Sequence, residues 1–272
     1  MHITIITDCC DANATARQVI RANTLFLAPA TVIGIDPSFE TLSDLEAGGH
    51  LVDCLDASCG EPSVILVNKA PRSGPAKKRP NGTPFGYFWV GKTLVCTSID
   101  GYVLSLIKKC GISDHITIWD IPTVMNRCCE NGLCDKTLAD HIIATQFRSF
   151  EFLPRVAKWV RDGRDVPATE TSLDYVPDAG SRVWFVDIFG NCKTTIAPQD
   201  CGRQAGKQYR LGQTILTATT RLKDLPNGEI GLVIGSSGYG QHRRCEIMIQ
   251  GGSAAAHLGI GLGSEIVLEP VM

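Results

Sequence analysis

The spacing of apolar residues changes character near residue 180. Before that point, short runs of β-branched and aliphatic residues alternate with longer stretches whose apolar positions fall three and four apart. HITIIT at 2–7, TVIGI at 31–35 and SVILVN at 63–68 read as strands, while 15–25 and 39–50 carry helical spacing. The run at 63–68 is apolar on both faces, as a strand covered on both sides must be. FGYFWV at 85–90 and KTLVCT at 92–97 flank Gly91 as consecutive strands, a helix follows between Asp100 and Gly111, and ITIWDI at 116–121 is another strand. From about 135 to 162 the pattern is helical, interrupted at 147–154. This alternation predicts an α/β N-terminal domain over 1–165 with a mostly parallel sheet.

Residues 166–180 hold Pro167, Pro177 and Gly180 among polar positions and read as a linker. Beyond them the period shortens to strands and turns at 182–188, 192–197, 214–219, 230–235, 244–250 and 264–269. The expectation for 181–272 is a smaller all-β, barrel-like C-terminal domain.

Composition adds exclusions. The chain has 272 residues, 44% of them hydrophobic, with a formal net charge of −2. A nearly balanced charge gives no field for nucleic acid or an anionic membrane surface. No apolar run approaches spanning length, and MHITIITD enters a strand pattern directly, so the expectation is a soluble, cytoplasmic protein. The 12 cysteines show no CxxC spacing. A zinc site on Cys128, Cys129 and Cys134 lacks a clear fourth ligand, and reduced, small, buried hydrophobes are the better reading; no metal is expected.

Candidate chemistry gathers where predicted strands end. Asp8 follows the first strand, in the crevice where open α/β sheets bind ligands. It can accept from a ribose diol or cap the next helix, and Asp11, Asn13 or Thr15 could supply the same cap. Asn68 and Lys69 end the third strand, and Arg72, Lys77, Lys78 and Arg79 follow with no acidic partner. Phe147-Arg148-Ser149 interrupts the later helical stretch; read alone, Phe147 is core and Arg148 a surface cation, or both belong to a site. Two further turns bring backbone close to a ligand: Asp187 to Asn191 after VWFV, and Ser236-Ser237-Gly238 after an apolar run.

Taken in order, VDIFGN at 186–191 and SSGY at 236–239 with GGSAA at 251–255 resemble the C-terminal domain of a known family. It is the S-adenosyl-L-methionine (SAM) hydroxide adenosyltransferases, with their relatives the fluorinase and chlorinase. Gln241–Cys245 interrupts the second motif as an insertion. The resemblance covers nearly the whole chain, and it implies an α/β domain joined to a β-barrel. It also implies a homotrimer binding SAM between the first domain of one subunit and the second of its neighbour. Asp8, Asn13 and Thr15 match positions that help to hold SAM. By the same resemblance Phe189 packs near the adenosine, and Asp187, Ser236 and Ser237 hold the methionine amino and carboxylate groups. Asn191 and the backbone near Ala254 read the adenine edge. SAM is the substrate, and no cofactor is implied.

The departures from the family bear on the reaction. The SAM-hydrolysing members use an Asp–Arg–His set. Asn68 stands at the aspartate, which is a tyrosine in the fluorinase, and Arg79 is the counterpart of the arginine. Phe147-Arg148-Ser149 stands where the hydrolases have Phe-His-Gly and the fluorinase Phe-Tyr-Ser, whose serine helps to bind halide. Asparagine and arginine cannot serve as a general base near neutral pH. Lys69 and Arg148 could instead bring positive charge to a nucleophile that is already an anion. The reading is displacement of methionine from the 5′ carbon of SAM by a small, halide-type anion, with Asn68, Arg148 and Ser149 as catalytic residues. The alternatives are a SAM hydrolase and a non-catalytic SAM or adenosine binder.

Overall fold

The computed structural model describes residues 1–37, 42–69 and 83–271. The basic loop, with Arg72, Lys77, Lys78 and Arg79, lies outside the described residues.

Strand β1 (His2–Thr7) runs into helix α1 (Ala12–Phe26), β2 (Ala30–Gly34), α2 (Ser43–Ala57) and β3 (Ser63–Asn68). Asp11 caps α1 by accepting from the backbone N–H groups of Asn13 and Ala14, both at 3.0 Å. The hairpin of β4 (Phe85–Val90) and β5 (Thr93–Ser98) follows. Then come α3 (Ser105–Lys109), β6 (His115–Ile118), α4 (Ile121–Glu130), α5 (Lys136–Ala144), α6 (Arg148–Glu151), α7 (Leu153–Arg161) and β7 (Thr169–Ser172).

Among the described residues these strands form a seven-stranded sheet in the order β2-β1-β3-β5-β4-β6-β7. β2, β1, β3 and β5 are parallel neighbours, whereas β4, β6 and β7 add antiparallel pairs. The sheet is therefore mixed and not mostly parallel. The cause is the turn at Gly91-Lys92: a two-residue connection can only return the chain antiparallel, and Gly91 takes the positive φ of 57° that such turns need. Residues 166–180, where composition placed a linker, supply β7, and Leu173, Val176 and Ala179 are buried in the core.

One core cluster, on α2 and α3, includes Ile6, Leu51, Ile65, Val95 and Leu106, and Trp184 from the C-terminal region joins it. A second includes Ile3, Phe26, Val64, Leu94, Met125 and Val156, drawing on α1, α4 and α7.

The C-terminal region comprises β8 (Val183–Val186), β9 (Cys192–Thr194), β10 (Gln208–Leu211), β11 (Thr214–Thr219), β12 (Ile230–Tyr239), β13 (His242–Ile249), α8 (Ala254–Leu258) and β14 (Glu269–Pro270). Its sheet is also seven-stranded among the described residues, ordered β14-β10-β11-β12-β13-β9-β8, with β11 and β12 parallel and the other ladders antiparallel. Ser264 and Ile266 hydrogen-bond back to Val183 and Ser181, but only the single bridge Arg182–Glu265 forms there. The region is thus a curled mixed sheet, and the expected barrel is not established. The strand expected at 264–269 shrinks to β14, while β7 and β10 had no sequence expectation.

Helix α2 holds the two regions together. Asp53 accepts from the Ser237 hydroxyl at 2.8 Å and from the Gly238 N–H at 2.9 Å, and Asp56 pairs with Arg243 at 2.8 Å. Among the described residues no helix is long and apolar enough to cross a membrane. All 12 cysteines are free thiols.

Candidate functional site

The parallel strands β1 and β3 end side by side, with Thr7 in register with Asn68. This alignment places the buried Asn68 amide so that its Nδ2 donates to the Thr7 hydroxyl at 3.3 Å. Asp8 is buried as well, and Lys69 reaches its Oδ2 at 3.3 Å. The Lys69 charge is therefore spent on Asp8, which corrects the expectation that Lys69 supplies free positive charge for a nucleophile.

Helix α6 begins at Arg148, and Ser149 turns toward Asn68. Together with Gln18 and Arg21 of α1, Asn68 and Ser149 line a cavity of about 10 Å³, the size of one water. Ser149 also faces a wider cleft of about 280 Å³ with Phe147, Cys9 and Arg17. Phe147 is 63% exposed, so it is not core. Arg148 is half-buried, its Nε is buried with no hydrogen-bond partner, and it has no carboxylate partner among the described residues. Burial lowers its pKa from the ordinary arginine value. Asn13 is exposed on the first turn of α1, and the Thr15 hydroxyl donates to the Cys10 carbonyl at 3.2 Å.

The C-terminal candidates occupy a separate place. A groove of about 860 Å³ is lined by Asp187, Phe189, Asn191, Ser236 and Gly251-Gly252, together with Lys193, Arg221 and Glu246. It shares no lining residue with the Asn68 cavity. Asp187 organises its own turn: Oδ1 accepts from the N–H groups of Phe189 and Asn191 at 2.9 and 3.0 Å, and Oδ2 accepts from Asn191 Nδ2 at 2.9 Å. Phe189 at the tip is 71% exposed. The turn docks on the second motif, where Ala255 N–H donates to the Gly190 carbonyl at 2.9 Å. Ala254 is fully buried, opening α8 after the Ser253 cap. Ser236 faces the groove, but Ser237 is turned away onto Asp53.

Sequence reasoning missed Glu246 and Lys193. Glu246 is 2% exposed, and its Oε1 accepts from Lys193 Nζ at 3.3 Å. The available signal was a carboxylate among the apolar Cys245, Ile247, Met248 and Ile249 of β13 and a lysine just beyond the FGN turn.

Residues 181–267 match the family model described as the SAM hydroxide adenosyltransferase C-terminal domain. The likeness is confined to this C-terminal third of the chain. The match runs from the residue pair before β8 to the segment before β14, so the matched region contains the whole groove. Two solved structures share the fold over nearly the full length. An uncharacterized conserved protein from Thermotoga maritima is 16% identical with a TM-score of 0.68, over 98% of this chain and 100% of that one. A conserved hypothetical protein from Thermus thermophilus is 15% identical with a TM-score of 0.62, over 99% of both chains. No curated protein matches the chain.

Proposed function

We propose that the protein is a SAM-dependent adenosyltransferase whose nucleophile is a small, halide-type anion. The observation that carries this reading is Arg148, a half-buried guanidinium without a carboxylate partner among the described residues, at the start of the short helix whose next residue, Ser149, lines a cavity with Asn68. No aspartate or histidine stands at either substituted position, so neither can take a proton from water. An anion needs no deprotonation. Its electron pair forms the bond to C5′ as the C5′–S bond breaks, and the pair of that broken bond stays on sulfur, which leaves as the neutral thioether of methionine. Positioning and desolvating the anion would then be the main work of the residues near Ser149.

A homotrimer with each site between neighbouring copies agrees with two features. The groove and the Asn68 cavity share no residue within one chain, and the aromatic rings of Phe147 and Phe189 are both exposed. In such an assembly the Asp8–Asn68–Ser149 side of one copy would face the Phe189 groove of the next.

The water-sized cavity beside Asn68 and Ser149 favours a second reading, slow SAM hydrolysis. Product analysis after incubation with SAM, in buffers holding fluoride, chloride, bromide, iodide or no halide, separates the two. A halide-dependent 5′-halo-adenosine and methionine are expected. Adenosine in every buffer would establish hydrolysis, and tight SAM binding without turnover would mark a binding protein.

A further inference from the structure

The polar groups of the groove differ in how much hydrogen-bonding capacity they keep. Asp187 has both carboxylate oxygens engaged within its own turn. Ser237 is directed to Asp53, and Arg221 is held by Asp224. Ser236 and Thr220 keep neutral hydroxyls, and Glu246 and Lys193 are the oppositely charged pair that keeps capacity. Glu246 is 2% exposed, yet its one protein donor among the described residues is Lys193, on Oε1. Its Oε2 has no protein donor there. Lys193 Nζ makes no other hydrogen bond among the described residues, which leaves two of its three N–H groups unused. Both side chains line the groove.

A buried carboxylate and an ammonium at 3.3 Å, each with spare capacity toward the same space, form a head-to-tail match for a zwitterion. An α-ammonium bonds to Glu246 and an α-carboxylate to Lys193, so four charges alternate in sign. Because the pair is largely withdrawn from water, these charge-assisted bonds are stronger than the same bonds at an exposed surface.

We propose that Glu246 and Lys193 form the subsite for the α-amino-acid end of the ligand, Glu246 receiving the ammonium and Lys193 the carboxylate. The inference rests on the SAM reading of the site and names which residues select the methionine end. It assigns discrimination between SAM and nucleosides without an amino acid to the floor of this groove, and leaves the Asp187 turn as scaffold.

The test is calorimetric titration of the full-length protein, Lys193→Met and Glu246→Gln with three ligands. These are SAM, decarboxylated SAM and 5′-methylthioadenosine, which lacks the amino-acid end. Each variant is expected to bind SAM about 10-fold or more weakly and to bind 5′-methylthioadenosine as the unaltered protein does. Lys193→Met is also expected to leave decarboxylated SAM unaffected. Retained 5′-methylthioadenosine binding shows that a variant is folded, and if Glu246→Gln does not fold, Lys193→Met decides alone. Unchanged SAM affinity, or equal weakening of all three ligands, would overturn the subsite while leaving the SAM reading intact. An unaltered protein that binds none of the three would overturn the SAM reading, and this inference with it.

Discussion

Lys69 bridges two neighbouring strand ends to place its Nζ 3.3 Å from Asp8 Oδ2, with side-chain exposures of 11% and 2%. Both residues sit where an open α/β sheet presents its ligand crevice. The ion pair neutralises what the sequence suggests is a source of positive potential, and it leaves Arg148, beside Ser149 in the chain, and Arg17, in the Ser149 cleft, as cations without an acidic partner among the described residues. Removing Lys69 takes from the buried Asp8 the cation at 3.3 Å. Lys69→Met is expected to destabilise the protein by about 3 kcal/mol, measured by urea unfolding. The double variant Asp8→Asn/Lys69→Met should recover most of that loss. A double variant no more stable than Lys69→Met would show that the two charges do not depend on each other.

Arg148→Ala tests the proposed chemistry. The side chain has no carboxylate partner to strand among the described residues, so its removal should change stability little. If Arg148 draws an anion toward the 5′ carbon, turnover should fall by roughly 100-fold, while SAM binds nearly as before. Lysine at the same position should restore part of the rate, because it keeps the charge and loses the planar fork. Unchanged turnover in Arg148→Ala would remove this residue from the mechanism.

The short helix that carries Arg148 and Ser149 is anchored by Glu151, whose Oε2 accepts from Arg21 at 3.0 Å and Arg155 at 2.8 Å. Burial pushes the Glu151 carboxyl up, but the bond and charge of Arg21, followed by those of Arg155, hold it below the ordinary glutamate value. A carboxylate whose pKa is lower folded than unfolded stabilises the fold above the unfolded value of about 4.3. That contribution disappears as pH falls through the lower folded pKa. Unfolding free energy should therefore drop on acidification below about pH 5. In Glu151→Gln the drop should be shallower and the stability at pH 7 lower. Parallel profiles for the two proteins would exclude Glu151 as a contributor.

What could be read from the sequence follows from how each feature is encoded. β3 announces itself because a β-branched run buried on both faces has no polar alternation to confuse it, while β1 and the edge strand β2, none of whose residues is buried, are marked by their β-branched residues alone. β7, with the sequence TETS, carries no hydrophobic signal, since an edge strand can be held by its backbone alone. The mixed order of the first sheet hinges on the two-residue turn at Gly91, a local signal whose consequence is topological. At the site, strand-end positions such as Asp8 and Asn68 were legible because the chain direction fixes where they lie. Their partners were not: Lys69 on Asp8, Ser237 on Asp53 and Lys193 on Glu246 are contacts between strands or regions far apart in sequence. Glu246 was hidden in the alternation of β13, where a charge facing a groove and a charge facing solvent look the same.

Gly235 offers a way to disturb the groove without changing its charge. A Cβ at this position would lie 2.0 Å from Glu246 Oε1 and 2.2 Å from its Cδ, so Gly235→Ala requires the Glu246 side chain to move. Glu246 is packed on β13 and paired with Lys193, and its displacement carries the lysine's partner away from the groove floor. The overpacking itself should cost about 1–3 kcal/mol of stability, and SAM affinity should fall while binding of 5′-methylthioadenosine holds. In a Glu246→Ala background the obstruction is gone, and the added methyl should cost little. The two substitutions should therefore be strongly non-additive in urea unfolding, as residues in direct contact are. Additive effects would mean that the backbone at Gly235 and the Glu246 carboxylate do not meet.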